Sequence, residues 1–367
     1  MKLLKTSIIY ENPLPILKSI QSFFPSLCEL EDGSVLACYQ LGEAFEAVNC
    51  TSYVSKSEDG GATFSAPIQM FDKKSEKVKR SDFCKIAKVG ENKLVALGYQ
   101  FFREDESLPI GNAETGGLLD DEIFYSVSTD NGKTWSKRKT IDCYWGNHAE
   151  ASAPVTLLKD GSWATPITGF KDWDAKIDCP CEGRLLRSYD QGKTWNDNTV
   201  CMKFNDPNIT CFEQRAVELE NGNIVVIGWN ENLVTGELLN NHYTISTDNG
   251  KTFSEPKDTG IKGQASSLLH IGNNKILAFH CLRRDTNTPG ILCALVDLSN
   301  GTWNILEQKI IWSPNMPVLK DGNMANVFAF LKFGQPSGIL LKNGTVLMTH
   351  WALENGQYKT YCSQIEL

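Results

Sequence analysis

An eight-residue pattern, S-x-D-x-G-x-T-[W/F], occurs four times in this chain. The copies begin at Ser57, Ser128, Ser188 and Ser246 and close on Phe64, Trp135, Trp195 and Phe253. The Asp carboxylate accepts hydrogen bonds from nearby backbone N–H groups, and Gly takes the positive φ that a tight turn needs. The closing aromatic re-enters the core. Each copy therefore predicts a β-hairpin turn anchored by one ring. Recurrence every several tens of residues marks a repeat architecture.

A second repeat runs out of phase with the first: an apolar stretch, a turn ending in Gly or Asn, and another apolar stretch. Its turns are Leu30-Glu31-Asp32-Gly33, Val89-Gly90-Glu91-Asn92, Leu158-Lys159-Asp160-Gly161, Leu219-Glu220-Asn221-Gly222, His270-Ile271-Gly272-Asn273-Asn274 and Leu341-Lys342-Asn343-Gly344. Runs beside them, such as Ile224–Ile227 and Val346–Met348, are short and rich in β formers. A unit reads as strand, turn, strand, loop, strand, box turn, strand. That is a four-stranded blade. Six of them predict an all-β, six-bladed β-propeller occupying residues 1–367 as a single domain. Blade five carries an altered box, Asp297-Leu298-Ser299-Asn300-Gly301-Thr302-Trp303, and blade six shows none.

Composition narrows the function classes. Hydrophobic residues make up 41% of the chain, and nine Trp and 17 Phe supply aromatic blade anchors. A net charge of −8 argues against a nucleic-acid surface. No run approaches the roughly 20 apolar residues of a membrane span. The apolar run at the N-terminus is too short for a secretory signal, so a cytoplasmic location is the expectation. The 12 Cys are irregularly spaced and read as reduced, buried thiols. Cys179-Pro180-Cys181 has only Cys143 and His148 nearby, too few ligands for zinc, so neither a metal nor a cofactor is expected. The longest irregular insert, Arg103–Asp121, is expected to crown one face, where function concentrates.

The innermost strand of each blade lines the channel of a propeller. Counting back nine residues from the turn residues Gly33, Glu91, Gly161, Gly222, Asn273 and Gly344 reaches Phe24, Asp82, Ser152, Glu213, Gln264 and Gln335. Two residues on, the same face carries Ser26, Cys84, Pro154, Arg215, Ser266 and Ser337. Four of the first six are carboxylates or amides, which a plain core strand would not place together. This ring is the expected site floor. Glu150 is a further carboxylate candidate. Arg283 and Arg284 close the second strand of blade five at the same mouth, and alternation lets only one of them face the channel. With Arg215, that one could clamp a carboxylate. Trp145, Trp173, Trp229 and Trp351 are available to stack on sugar rings, and His148, His242 and His350 sit near strand ends.

The four boxes and the opening Phe24-Pro25-Ser26-Leu27 resemble the Asp-box proteins of the sialidase superfamily, from about residue 20 to the C-terminus. The resemblance implies a carbohydrate substrate. It implies that Glu213 is the carboxylate that activates a Tyr nucleophile, that Asp82 (with Glu150 as competitor) is the acid/base, and that Arg215 and Arg283 or Arg284 belong to an arginine triad. Gln264, Gln335 and Trp229 complete the expected binding set. Two positions depart from the family pattern. Phe23-Phe24-Pro25 stands where an Arg-Ile-Pro type motif is expected, so the first triad arginine is missing, and Gln335 stands where a Tyr is expected. Gln cannot ionise to a nucleophile. Water activated by Glu213 or Asp82 is one replacement, and a nucleophile from Tyr99, Tyr144 or Tyr361 is another. The expected activity is an exo-glycoside hydrolase acting on a terminal acidic sugar. The alternatives are a neutral-sugar exo-hydrolase, a polysaccharide lyase, and a non-catalytic glycan- or protein-binding propeller. The oligomeric state has no sequence signal.

Overall fold

The structure, a computed structural model, describes residues 1–177, 181–315 and 331–367. Six antiparallel sheets follow one another around a ring. Blade one is β2 (Gln21–Glu29), β3 (Val35–Gly42), β4 (Thr51–Ser57) and β5 (Ile68–Gln69). Blade two is β6 (Arg80–Gly90), β7 (Lys93–Phe102), β8 (Asp121–Ser128) and β9 (Lys139–Ile141). Blade three is β10 (Ala149–Glu150), β11 (Thr156–Leu157), β12 (Trp163–Gly169), β13 (Glu182–Ser188) and β14 (Asn196–Lys203). Blade four is β15 (Phe212–Glu218), β16 (Ile224–Trp229), β17 (His242–Ser246) and β18 (Lys257–Asp258). Blade five is β19 (Gln264–Gly272), β20 (Lys275–Leu282), β21 (Gly290–Asp297) and β22 (Asn304–Trp312). Blade six joins β23 (Phe333–Leu340), β24 (Val346–Glu354) and β25 (Gln357–Glu366) to the N-terminal β1 (Lys2–Tyr10).

That last sheet closes the ring: β1 pairs antiparallel with β25, from Lys2 opposite Glu366 to Tyr10 opposite Thr360. It also explains the missing sixth box. The outermost strand of blade six arrives from the other end of the chain, so no hairpin turn follows β25.

The boxes repeat one hydrogen-bond pattern. In the first, Ser57 donates to Asp59 Oδ1 at 2.8 Å, and Thr63 donates its N–H to Oδ1 at 2.9 Å and its hydroxyl to Oδ2 at 2.6 Å. The copy at Asp248 does the same from Ser246 and Thr252. The closing rings each enter a different interblade core. Phe64 packs between blades six and one, Trp135 between one and two, Trp195 between two and three, and Phe253 between three and four. Trp303 of the altered fifth box packs into the core between blades four and five, and apolar strand faces fill the junction between five and six. A separate aromatic cluster of Phe23, Phe24, Phe83 and Trp351 sits on the axis.

The inner strands are not uniform. β2, β15, β19 and β23 each carry a bulge, marked by a register shift near the strand start. The bulged residues Phe24, Glu213, Ala265 and Gln335 have φ of 53°, 42°, 51° and 42°. Left-handed backbone is unfavourable for residues with a Cβ, and bulges re-aim side chains. Blade three departs further, since its inner strand is split into β10 and β11. Pro154 lies in the gap and cannot donate to the ladder. Among the described residues no helix is long and apolar enough to cross a membrane.

Candidate active site

A cavity of about 270 Å³ opens at the axial mouth. Its walls are aromatic, including Phe24, Phe45, Tyr99, Phe170, Phe212 and Trp351, and its acids are Glu46, Glu150, Glu213 and Glu231. Glu213 is aimed into it by the β15 bulge. Its carboxylate accepts Trp229 Nε1–H at 2.7 Å on one oxygen and Gln335 Nε2–H at 2.5 Å on the other. The bulge also frees the Glu213 backbone N–H, which donates to Glu150 Oε2 at 2.9 Å. Glu150 accepts from Ser152 Oγ on its other oxygen. Burial raises the Glu150 carboxyl, the nearby Glu213 charge adds to the rise, and Arg215 opposes it.

Glu46 lies in the loop between β3 and β4 on the pocket wall. Burial is the main cause that lifts its pKa to about 7, with Glu213 adding and Arg103 subtracting. Arg103 also holds the loop, donating Nη1–H to the Glu46 carbonyl at 2.9 Å. Tyr99 faces the same space. Its burial among Glu150, Glu46 and Glu213 keeps the phenol protonated well past its ordinary range. Beneath the floor, Lys85 is fully buried and donates to the carbonyls of Phe24 at 3.2 Å and Pro25 at 2.9 Å. Burial, then the Arg215 charge, depress its pKa well below the lysine range.

The insert after β7 contributes Ile110, Gly116 and Leu118 to the wall. It is fastened to blade three: Thr115 Oγ1 donates to the Trp173 carbonyl at 2.6 Å, and Leu118 bridges Asp172.

A BNR/Asp-box repeat model matches residues 126–137, the second box. No curated protein matches at the sequence level. Among solved structures, a Dyadobacter fermentans protein of unknown function aligns over 100% of this chain and 99% of its own, with TM-score 0.73 and 19% identity. A Hadza microbial sialidase aligns over 94% of this chain and 65% of its own, with TM-score 0.66 and 15% identity. The Trypanosoma rangeli sialidase in complex with sialic acid covers 94% and 54%, with TM-score 0.65 and 17% identity. This chain thus spans about two thirds and about half of the two sialidases. The chain is a six-bladed propeller with Asp-box repeats. At these identities the likeness concerns the fold.

Within this propeller, the sequence-derived positions separate into two groups. Glu213, Glu150, Gln335, Trp229 and Arg283 line the cavity together with Phe24. Arg215 does not line it. It is buried beneath, donating Nη1–H to Ser152 Oγ at 2.9 Å and to the Gln214 carbonyl at 2.8 Å. Arg283 and Arg284 both lie just past the end of β20 at Leu282, and Arg284 does not line the cavity either. It pairs with Glu231 and donates to the Gly236 carbonyl at 3.3 Å.

Asp82 needs correction as a channel-facing acid. It is completely buried between blades one and two, accepting from Thr51 Oγ1 at 2.7 Å, Ser52 N at 2.9 Å, Ser52 Oγ at 2.8 Å, Lys73 at 3.0 Å and Arg138 at 3.2 Å. The cause is twofold. The positive-φ turn residue of blade two is Asn92 rather than Glu91. In addition, β6 pairs regularly with β7 around Asp82, without the bulge that turns Glu213 inward. Gln264 is likewise one residue off, because Asn273 and Asn274 both take positive φ and move the ring position to Ala265. The Gln264 amide oxygen instead accepts Arg283 Nε–H at 3.0 Å.

Of the four flagged tryptophans, Trp229 and Trp351 line the cavity, while Trp145 and Trp173 do not. No flagged histidine lines it. His350, for example, is buried beside Trp312 and Tyr361. Among the tyrosines, Tyr99 lines the cavity, Tyr144 is exposed, and Tyr361 donates to Glu354 at 2.8 Å. Cys179 and Pro180 lie outside the described residues. Among the described residues no group of three or more His, Cys, Asp or Glu is placed to hold a metal ion. Glu46 and Lys85 were missed by the sequence reading. The first lies in a loop without a motif. The second is a lysine in a core strand, whose buried place beneath the floor only the fold shows.

Proposed function

We propose that this propeller is an exo-acting glycoside hydrolase whose axial cavity takes one terminal sugar residue. The observation that carries the reading is the convergence of Glu46, lifted to a pKa of about 7, and Glu213 on one aromatic-walled cavity. Glycoside hydrolysis needs two carboxyl groups in different states, one giving a proton and one facing the cationic sugar centre. Glu46, half protonated near pH 7, donates its proton to the glycosidic oxygen as the bond to the anomeric carbon breaks. Glu213, held by Trp229 and Gln335, faces the positive charge that develops. Water adds to the anomeric carbon, and its proton returns to a carboxylate. Glu150, bonded to the Glu213 backbone, is a positioning residue.

The neighbouring sialidase structures support a glycosidase scaffold, and the carboxyl pair supports catalysis on it. The test is release of chromophore from a panel of aryl glycosides by the wild type, Glu213→Gln and Glu46→Gln. Each substitution should lower kcat/KM by roughly 10²–10⁴-fold while the fold is retained. Full activity in both variants would refute the assignment. An inactive but folded wild type across the panel would favour a sugar-binding protein without turnover.

A further inference from the structure

Which sugar the cavity accepts is a question of charge and surface. The described lining carries four carboxyl side chains, Glu46, Glu150, Glu213 and Glu231, against two cationic ones, Arg283 and Lys171. Arg284 and Arg215 are engaged away from the cavity, and Arg283, which lines it, has two of its three nitrogens bonded to protein. Arg284 is paired with Glu231. Arg215 lies beneath the floor and bonds Ser152 and the Gln214 carbonyl. Arg283 directs Nε to Gln264 at 3.0 Å and Nη1 to the Phe333 carbonyl at 3.1 Å. Bidentate capture of a carboxylate needs a free pair of parallel N–H groups. Gly334 keeps Arg283 in that position: a Cβ there would meet Arg283 Nη1 at 2.6 Å and Trp351 Cζ2 at 2.9 Å.

The aromatic rings supply what a sugar without charge needs. Phe24, Phe45, Tyr99, Phe170, Phe212 and Trp351 give the cavity apolar faces for C–H surfaces of a pyranose or furanose ring. The volume of about 270 Å³ lies just under the usual range for ligand pockets, roughly 300–1,000 Å³. One monosaccharide suits that space. With Glu231 already paired to Arg284, an anionic sugar would meet the Glu213 carboxylate with no arginine among the described lining residues offering its Nε and Nη2 together to receive it.

We infer that the cavity selects a neutral terminal monosaccharide over a carboxylated one, an inference that rests on reading the cavity as a sugar site. The experiment is direct binding to the wild-type protein, followed by intrinsic tryptophan fluorescence, since Trp229 and Trp351 line the cavity. The probes are methyl glycosides of neutral hexoses, pentoses and deoxyhexoses beside those of sialic and uronic acids. Each is run at low and high salt, and release of free sugar is measured in parallel. The expected result is saturable binding of a neutral glycoside at least about tenfold tighter than any acidic one. That binding should be unchanged by salt, because screening acts on charged partners. Tighter, salt-sensitive binding of an acidic glycoside would overturn the inference while leaving the hydrolase reading intact. Neutral binding without sugar release would sustain the inference and refute the hydrolase reading. No saturable binding in either class would overturn both.

Discussion

Glu46 shows how a single side chain couples stability to function. Its folded pKa of about 7 lies above the ordinary glutamate value, so between the two the folded state binds more protons than the unfolded state. Stability therefore falls as pH rises through that window. The part of the loss due to Glu46 is complete above pH 7. Glu46→Gln removes this charge. The variant should match the wild type in urea unfolding at pH 4 and exceed it at pH 8 by on the order of 1–3 kcal/mol. The same proton should set the alkaline limb of kcat/KM in the wild type, with a midpoint near 7. An unchanged stability difference across pH would mean that Glu46 titrates as an ordinary surface acid.

At the scale of elements, close strand approach and the box turns carry different risks. A Cβ at Gly98 on β7 would meet the Phe83 carbonyl oxygen on β6 at 1.9 Å. Backbone cannot move aside as a side-chain tip can. Gly98→Ala should cost about 1–3 kcal/mol or more, measured by urea denaturation, and should disturb the axial ring cluster beside Phe83. The boxes respond to acid instead. The Thr63 hydroxyl and N–H hold the Asp59 carboxyl below its usual range, and Thr252 does the same for Asp248. A depressed folded pKa stabilises above the ordinary value and is lost as pH falls through the folded value. Unfolding midpoints should therefore drop progressively below about pH 4. Asp248→Ala should lower the wild-type melting temperature at pH 7 and flatten its acid dependence. An identical acid profile in that variant would remove the box carboxylate as a cause.

For the whole molecule, closure depends on the nine-residue β1 meeting the ten-residue β25. β1 covers the edge of β25 and helps to fill the core between blades six and one with Ile9 and Tyr10. Removing residues 1–11 would leave β25 as a bare edge, a template for pairing between chains. The truncated protein should lose its sharp cooperative melt by circular dichroism and elute as larger species in size-exclusion chromatography. A monomer with unchanged melting would show that the ring closes without that strand.

Much of the architecture was legible in the sequence because its signals are local. The box at Ser128–Trp135 needs only its own side chains to turn, and the Gly33 and Gly222 turns need only a residue tolerant of positive φ. Glu213 and Gln335 were legible as neighbours on one cavity wall, since equal counting from equal turns brings them to one ring. The limit of that counting was also physical. A bulge changes the side-chain direction by adding one residue, and its presence in β15 but absence around Asp82 in β6 depends on how neighbouring strands pair. Burial decided the rest. Glu46 became an acid of raised pKa because folding encloses it near Glu213, and Arg215 and Arg284 were drawn to protein partners rather than to the cavity. The sequence alone determined the repeat, the turn chemistry and the number of blades, because each is set by short-range backbone preferences. Only the tertiary structure decided which charges meet in the cavity, because strand register, burial and competing hydrogen-bond partners exist only once the ring has closed.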